Sequence, residues 1–444
     1  MPMKTIRFLI AALLVSATVS AQNYNEDYKP VVYLLGVQRT TTNADAMSDA
    51  ECCTSNQMAI DQAILDFVET HRGGFEQSHL PQMIFSSRTN KVAFAVGGNV
   101  NMRVGYDFKG VVDNRDFITA DIPIPGNYAT RQKLMMDAST SIIYFKAVAN
   151  NSTLGRVVAM FEADFRGGQT GYTPRVRLAY VSLAGFTLGR DVTTFCDLNS
   201  SPQTIDFEGP NAYTFGFATM IRYSRMFGNH FSMGIAAELP KVSATYGETF
   251  TPINQRVPDF PMYVQYSWGR RANSHVRVTG VLRDMYYHNL TKGENQAEFG
   301  WGVQLSGNVA IGDRWNTYFN GVYGKGITPY IQDLKGSGMD LVVGTDDPTK
   351  LRTLPMYAWM AAGQFNITNW LQITGGYSDV TVQRKDGYWS PNQYRRAQYI
   401  FGNLFCHITP RFEVAVEYLH GIRKDMSSNK NSANRIQAMV KYNF

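Results

Sequence analysis

From Lys91 to the final residue this chain is written in twos. Val92, Phe94, Val96, Val100, Met102, Val104, Tyr106 and Phe108 fall on one parity, and Lys91, Asn99, Asn101, Arg103 and Asp107 fall on the other. The C-terminal residues repeat the pattern, with Ile436, Ala438, Val440, Tyr442 and Phe444 set against Arg435, Gln437, Lys441 and Asn443. Successive side chains of an extended backbone point to opposite sides, so a period of two predicts strands with one apolar and one polar face. An all-β fold follows, and the question becomes which solvent meets the apolar face.

The connections answer it. Short ones, rich in Gly, Asn and Pro, fall at Asn150-Asn151, Ala184-Gly185, Gly228-Asn229, Gly269 to Ser274, Ile311 to Arg314, Thr368-Asn369 and Thr409-Pro410. Long ones separate them: Gly110 to Lys133, Gly167 to Pro174, Val192 to Tyr213, Leu239 to Pro258, His288 to Glu298, Gly326 to Leu354, Gln383 to Gln393 and Asp425 to Ala433. Seven short turns and eight long loops join sixteen strands, with both ends on the short-turn side. A soluble β-sandwich does not alternate turn length so regularly, whereas a single-chain transmembrane barrel does. Each strand with its connection has roughly 22 residues, room for strands of about 9 to 11 that cross a bilayer at a tilt. Composition agrees, because 25 Tyr, 26 Phe and 38 Gly with only 18% charged residues suit strands that need one greasy face each. No later run reaches the roughly 18 apolar residues of a spanning helix. In such a barrel the apolar parity meets lipid, the polar parity lines the lumen, and closure removes exposed sheet edges.

Lys4 and Arg7 precede an apolar stretch from Phe8 to Val19, and small residues at Val19 and Ala21 offer a cleavage point, so residues 1–21 read as an export signal. The expected fold is therefore a 16-stranded antiparallel transmembrane β-barrel over residues 91–444, placed in the outer membrane of a Gram-negative bacterium. The final strand, ending in an aromatic, resembles the terminal signature of bacterial outer-membrane barrels. Residues 22–90 lack the alternation and are expected to form a periplasmic extension with one short amphipathic helix, Ala59 to Val68. That helix either associates with those of neighbouring subunits or packs under or into the barrel mouth. Cys52, Cys53, Cys196 and Cys406 form no disulfide framework, and neither they nor the scattered His residues have metal-ligand spacing. No metal and no cofactor is expected.

A barrel of this kind works through pore width and lumen charge. On the polar parity the cations are Lys91, Arg103, Arg156, Arg175, Arg177, Arg222, Arg277, Arg283, Arg411, Arg435 and Lys441, and the acids are Asp107, Glu162, Asp164, Glu238, Glu413 and Glu417. The cations outnumber the acids, which predicts a preference for anions, since low-dielectric walls focus the field of confined charges.

The most specific stretch runs from Gly185 through Gly189-Arg190-Asp191-Val192-Thr193-Thr194-Phe195-Cys196-Asp197 and on to Gly209-Pro210. Together with Lys91 to Phe108, with Glu162-Ala163-Asp164-Phe165 and with Arg175-Val176-Arg177-Leu178-Ala179-Tyr180, it resembles the DcaP-like, dicarboxylate-type porin family. The resemblance implies a homotrimeric porin that passes small dicarboxylates and similar anions, with a long third loop, 192–213, as the constriction. Arg190, Asp191 and Asp197 are then expected near the constriction, with Arg175 and Arg177 on the adjacent strand and Arg222, Arg103 and Arg156 on the lumen wall. Arg190 shares parity with Phe186 and Leu188, which would aim it at lipid, so a bulge after Gly189 is expected to turn it inward.

Two other classes compete. A barrel enzyme would need a nucleophile, base and orienting group brought together, and no motif groups them. A plugged barrel acting through its surface loops as a binding or adhesion protein is the alternative that the long loops keep open. Expected partners are outer-membrane lipid, lipopolysaccharide and small anionic solutes, with no nucleic acid.

Overall fold

The computed structural model describes residues 31–35, 58, 60, 62–64, 83–87 and 91–444, apart from 114, 152, 154, 169–170, 270–272 and 346. Sixteen antiparallel strands close into one barrel. They are β1 (Val92–Lys109), β2 (Arg131–Asp137 continuing as Ile142–Asn151), β3 (Gly155–Asp164), β4 (Arg175–Leu183), β5 (Phe186–Val192) and β6 (Phe217–Phe227). Next come β7 (Phe231–Glu238), β8 (Phe260–Trp268), β9 (Ser274–Asn289), β10 (Glu294–Ile311) and β11 (Trp315–Lys325). The last are β12 (Pro355–Asn366), β13 (Leu371–Val382), β14 (Tyr394–His407), β15 (Phe412–Asp425) and β16 (Lys430–Asn443). Each pairs with the next in the chain, and β16 pairs with β1 from Asn434↔Lys109 to Asn443↔Asn99, which closes the wall.

The two parities meet the solvents expected of them. On β16, Ile436, Val440 and Tyr442 are 40, 46 and 43% exposed, while Arg435 and Gln437 are 0 and 2% exposed. Arg103, Arg277, Arg283 and Arg435 are among the largest fully buried side chains of the molecule. Arginine within and valine without is the reverse of a water-soluble globule and the normal state of a barrel in lipid.

The loops depart from the expected regularity in two places. Strands β9 and β10 extend until only Leu290 to Gly293 separates them, and β15 and β16 until only Met426 to Asn429 does. The long loops expected at His288 to Glu298 and Asp425 to Ala433 are therefore tight hairpins. Asx-type bonds make this possible: Asn289 Oδ1 accepts from the backbone of Thr291 and Lys292 at 3.0 Å, and Asp425 Oδ1 from that of Asn429 at 2.8 Å. Alternating polarity alone does not mark where a strand leaves the bilayer.

Before β1, residues Val31–Leu35 and Met83–Ser87 pair in parallel, and the second of these runs antiparallel to β1 with Met83↔Val96. This strand begins where β16 stops, since Phe444 exchanges backbone hydrogen bonds with Gly98 at 2.9 and 3.1 Å. It thus covers the edge of β1 that the barrel leaves unpaired. Of the expected helix, Ile60 and Gln62 to Ile64 are described and helical. Ala63 there packs with Ile84 against Ala93, Ala95, Val148 and Val158 of β1 to β3. The rest of that helix, the export signal and Cys52-Cys53 lie outside the described residues.

Candidate permeation site

The third loop, Thr193 to Gly216, turns into the lumen, where its polar groups find partners on the inner wall. At its root, Thr193 Oγ1 and the Thr194 amide donate to the Glu238 carboxylate of β7, both at 2.6 Å. Asp197 is fully buried against β9 and β10, where His275 Nε2 lies 2.8 Å and Ser306 Oγ 2.7 Å from its carboxylate and Arg277 stands 3.9 Å away. Burial pushes this carboxyl up, but the Arg277 charge and the bonds from His275 and Ser306 outweigh it and hold it at about 2. Across the lumen, the backbone amides of Ile205 and Asp206 donate to Glu417 of β15 at 3.1 and 2.9 Å. The Ala212 amide donates to Ser378 Oγ of β13 at 2.9 Å. The loop therefore spans the barrel.

Two further loops lock onto it. Asn211 Nδ2 donates to Thr119 Oγ1 of the first loop at 2.9 Å, and the Gln332 amide of the loop between β11 and β12 donates to the Tyr213 carbonyl at 3.0 Å. Asp333 receives Thr119 Oγ1, the Ala120 amide and Tyr394 Oη at 2.8, 2.8 and 2.6 Å. Phe195, Leu198 and Tyr213 cluster with Ile327, Tyr330, Ile331 and Leu334 and with strand residues such as Met160, Met356 and Val380, so the apolar mass inside the barrel joins loop to loop and loop to wall.

Two cavities flank this plug. The outer one, about 650 Å³, opens among the long loops and contains Arg166, Arg175, Arg190, Lys241 and Lys335. The inner one, about 310 Å³, faces the short-turn side and is bordered by Asn99, Asn101, Arg177, Glu413 and Lys441. Phe207, Glu208, Phe215 and Gln332 border both, which identifies the narrow place between them. The Arg166 and Arg177 guanidinium carbons lie 4.5 and 5.7 Å from the centre of the Phe207 ring, and Lys335 Nζ lies 5.8 Å from that of Phe215.

Of the residues singled out in sequence, Arg175 and Arg190 border the outer cavity and Arg177 the inner one. Arg103 is sunk in the wall, bound to Asp137 at 2.5 Å and Asp116 at 3.3 Å. Arg222 is paired with Asp191 beneath the loop. Asp197 anchors the loop rather than facing the lumen, and Arg156 stands opposite Asn150 at the short-turn end, bordering neither cavity.

The expected bulge after Gly189 is absent: β5 keeps continuous register with β4 and β6 through Arg190. Gly189 instead takes φ 131°, and Arg190 reaches the cavity mouth with Nε donating to the Val176 carbonyl at 3.1 Å and its guanidinium 5.4 Å from the Phe217 ring centre. The register shift lies one strand earlier. Glu162 pairs with Leu178 and Ala163 with Val176, so Arg177 is the extra residue, and Arg175, Arg177, Leu178 and Tyr180 all turn inward.

Carboxylates on loops and at strand ends also change the charge balance read from the polar parity alone. Asp116 and Asp137 meet Arg103, Asp191 meets Arg222, and Asp259 with Asp340 meets Arg283. The wall is thus close to balanced. Among the described residues, Arg190, Lys241 and Lys335 of the outer cavity form no ion pair. Lys335 is lowered from its ordinary value, first by the protein packed around it and then by Lys241 and Arg175, against the pull of Glu208. Lys241 is lowered by burial and by Arg190. Glu208 itself is pushed up to about 8 by burial, opposed by Lys335. Arg166, Glu208, Lys241 and Lys335 carried no periodic signal, because all four lie on loops.

Among solved structures, the outer membrane channel DcaP of Acinetobacter baumannii superposes with a TM-score of 0.70 at 18% identity, covering 81% of this chain and 99% of that one. OmpT of Vibrio cholerae in its trimer form gives 0.51 at 12% identity over 80 and 99% of the two chains. An anion-selective porin from Comamonas acidovorans gives 0.53 at 13% identity over 80 and 100%. These likenesses bear on the fold. No curated protein matches by sequence. The sequence model of the DcaP outer membrane protein family matches residues 82–444, and with the closed barrel and its inward third loop this chain belongs to that family of Gram-negative outer-membrane channels.

Proposed function

We propose that the channel gives passive diffusion to small solutes with a preference for anions, dicarboxylates among them. The observation that carries this reading is the crowd of cations in the outer cavity. Arg175, Arg190, Lys241 and Lys335 border one space; Asp164 pairs with Arg175 at 2.5 Å, while the carboxylates beside the other three are engaged elsewhere or, in Glu208, held toward the neutral form by burial. Cations that depress one another's pKa gain from any anion that enters between them. A solute with two carboxylates can engage two of these groups at once. The anion selectivity named for the Comamonas acidovorans porin, a barrel of the same architecture, is in keeping with this. The same reading takes the chain as a homotrimer, as the trimer form of the similarly folded Vibrio cholerae OmpT suggests.

The test is the reversal potential of single channels across a salt gradient. Wild type is expected to reverse on the anion side, and Lys241→Glu with Lys335→Glu to move it toward the cation side by about 10 mV or more. A cation-selective wild type, or no shift in the double variant, overturns the reading. The plugged-barrel alternative makes its own prediction, since it admits no solute into swelling vesicles.

A further inference from the structure

The lipid face of the barrel carries a polar patch that permeation does not use. Exposed Ile373, Ile400, Val416 and Ile436 set the outward parity of β13, β14, β15 and β16. On that same parity, nearer the long-loop end, stand Asp379, Arg396, Lys424 and Lys430. Register puts Arg396 opposite Lys424 and Lys424 opposite Lys430, three cations side by side on three adjacent strands. Asp379 binds Arg396 at 2.6 Å. Lys424 and Lys430 have no ion pair among the described residues, and Lys109 of β1 extends the patch by donating to Ser432 Oγ at 3.3 Å. Like charges directly opposite one another destabilise a sheet, so an anion on the outside of the wall is what this arrangement lacks.

The height of the patch says which kind. From Tyr442 to Lys430 the strand climbs about twelve residues, which at a tilt of roughly 40° spans the apolar band of about 25 Å. The ammonium groups then sit at the outer headgroup level; two to four strands along the wall, Trp359 and Tyr377, with rings 5.1 Å apart, belong to an aromatic girdle. We propose that Lys424 and Lys430, flanked by the Arg396–Asp379 pair, bind the phosphate groups of a phosphorylated lipid in the outer leaflet. Two ammonium groups on neighbouring strands can share one phosphate as point charges, and the lipid chains pack on the apolar residues below. This site lies outside the lumen and stands whether or not the pore prefers anions.

Purified full-length protein in detergent can be titrated with diphosphorylated lipid A and with the same lipid stripped of phosphate, bound lipid being counted by native mass spectrometry. Wild type should hold the phosphorylated form, and K424Q/K430Q should hold it roughly tenfold less, while K424R/K430R keeps it. Arg225→Gln, near the short turns, serves as a control that should bind as wild type does. Equal binding by K424Q/K430Q overturns the proposal, as does equal binding of the dephosphorylated lipid. Displacement of lipid A by an equal concentration of inorganic phosphate would mark a free-anion site and overturn it too. Loss of oligomer in K424Q/K430Q without any lipid A bound to wild type would assign the patch to a contact between copies and also overturn it.

Discussion

Asp197 shows how much one loop side chain can hold. With His275, Ser306 and Arg277 around it, its loss leaves three cationic or polar groups buried without their anion. Asp197→Ala should cost about 3 kcal/mol, measured by urea unfolding of the folded barrel in vesicles, and should raise the open-channel noise as the third loop loosens. Glu208 works in the opposite sense. Its folded pKa, pushed up to about 8, lies above the unfolded value of about 4.3. Between those values the folded protein binds a proton that the unfolded chain does not, so its contribution falls as pH rises through that window. The same titration places a charge in the narrow place. Anion preference should therefore weaken as pH climbs past about 8, and Glu208→Gln should flatten that dependence; a profile unchanged in the variant would show that another group titrates.

Among the elements, β4 and β5 carry the geometry that the cavity needs. The extra residue at Arg177 lets two arginines and two apolar side chains share the inner face, which a regular strand forbids. Gly189, one strand on, sits where an added Cβ would come 2.3 Å from the Ala179 carbonyl, at a φ of 131°. Gly189→Val should cost about 2–3 kcal/mol and move Arg190 off the cavity mouth, seen as a reversal potential displaced toward cations. The sequence pointed to a bulge in this region because Arg190 had the wrong parity for the lumen. It could not say which strand bears the bulge, since an inserted residue is recognised only by what it fails to pair with across the ladder.

For the whole molecule, we propose that export trims the chain before it functions. Protein extracted from outer membranes should begin at Gln22, and N-terminal sequencing of the purified barrel checks it; an intact Met1 would remove the reading of residues 1–21 as a leader. Strand Met83–Ser87 begins where Phe444 ends, so this strand is joined to the barrel seam. The aromatic row Phe85, Phe94, Phe145 and Phe161, with neighbouring centroids 6.3 to 6.4 Å apart, carries that junction across the outer face.

Class, strand number and orientation were determined by residue order alone, because a period of two reports which of two solvents each side chain meets, and that is a local property. Val92 to Phe108 and Ile436 to Phe444 could be assigned without any partner in view. Hairpin lengths were legible only where turn chemistry broke the alternation, and failed at Asn289 and Asp425, where polar caps let strands run on. The narrow place itself was decided by tertiary structure. Phe207, Glu208 and Phe215 come from one loop and Gln332 from another, and they meet because buried carboxylates such as Asp197, Asp333 and Glu417 must find donors across the lumen, a requirement of the closed barrel that no stretch of sequence contains.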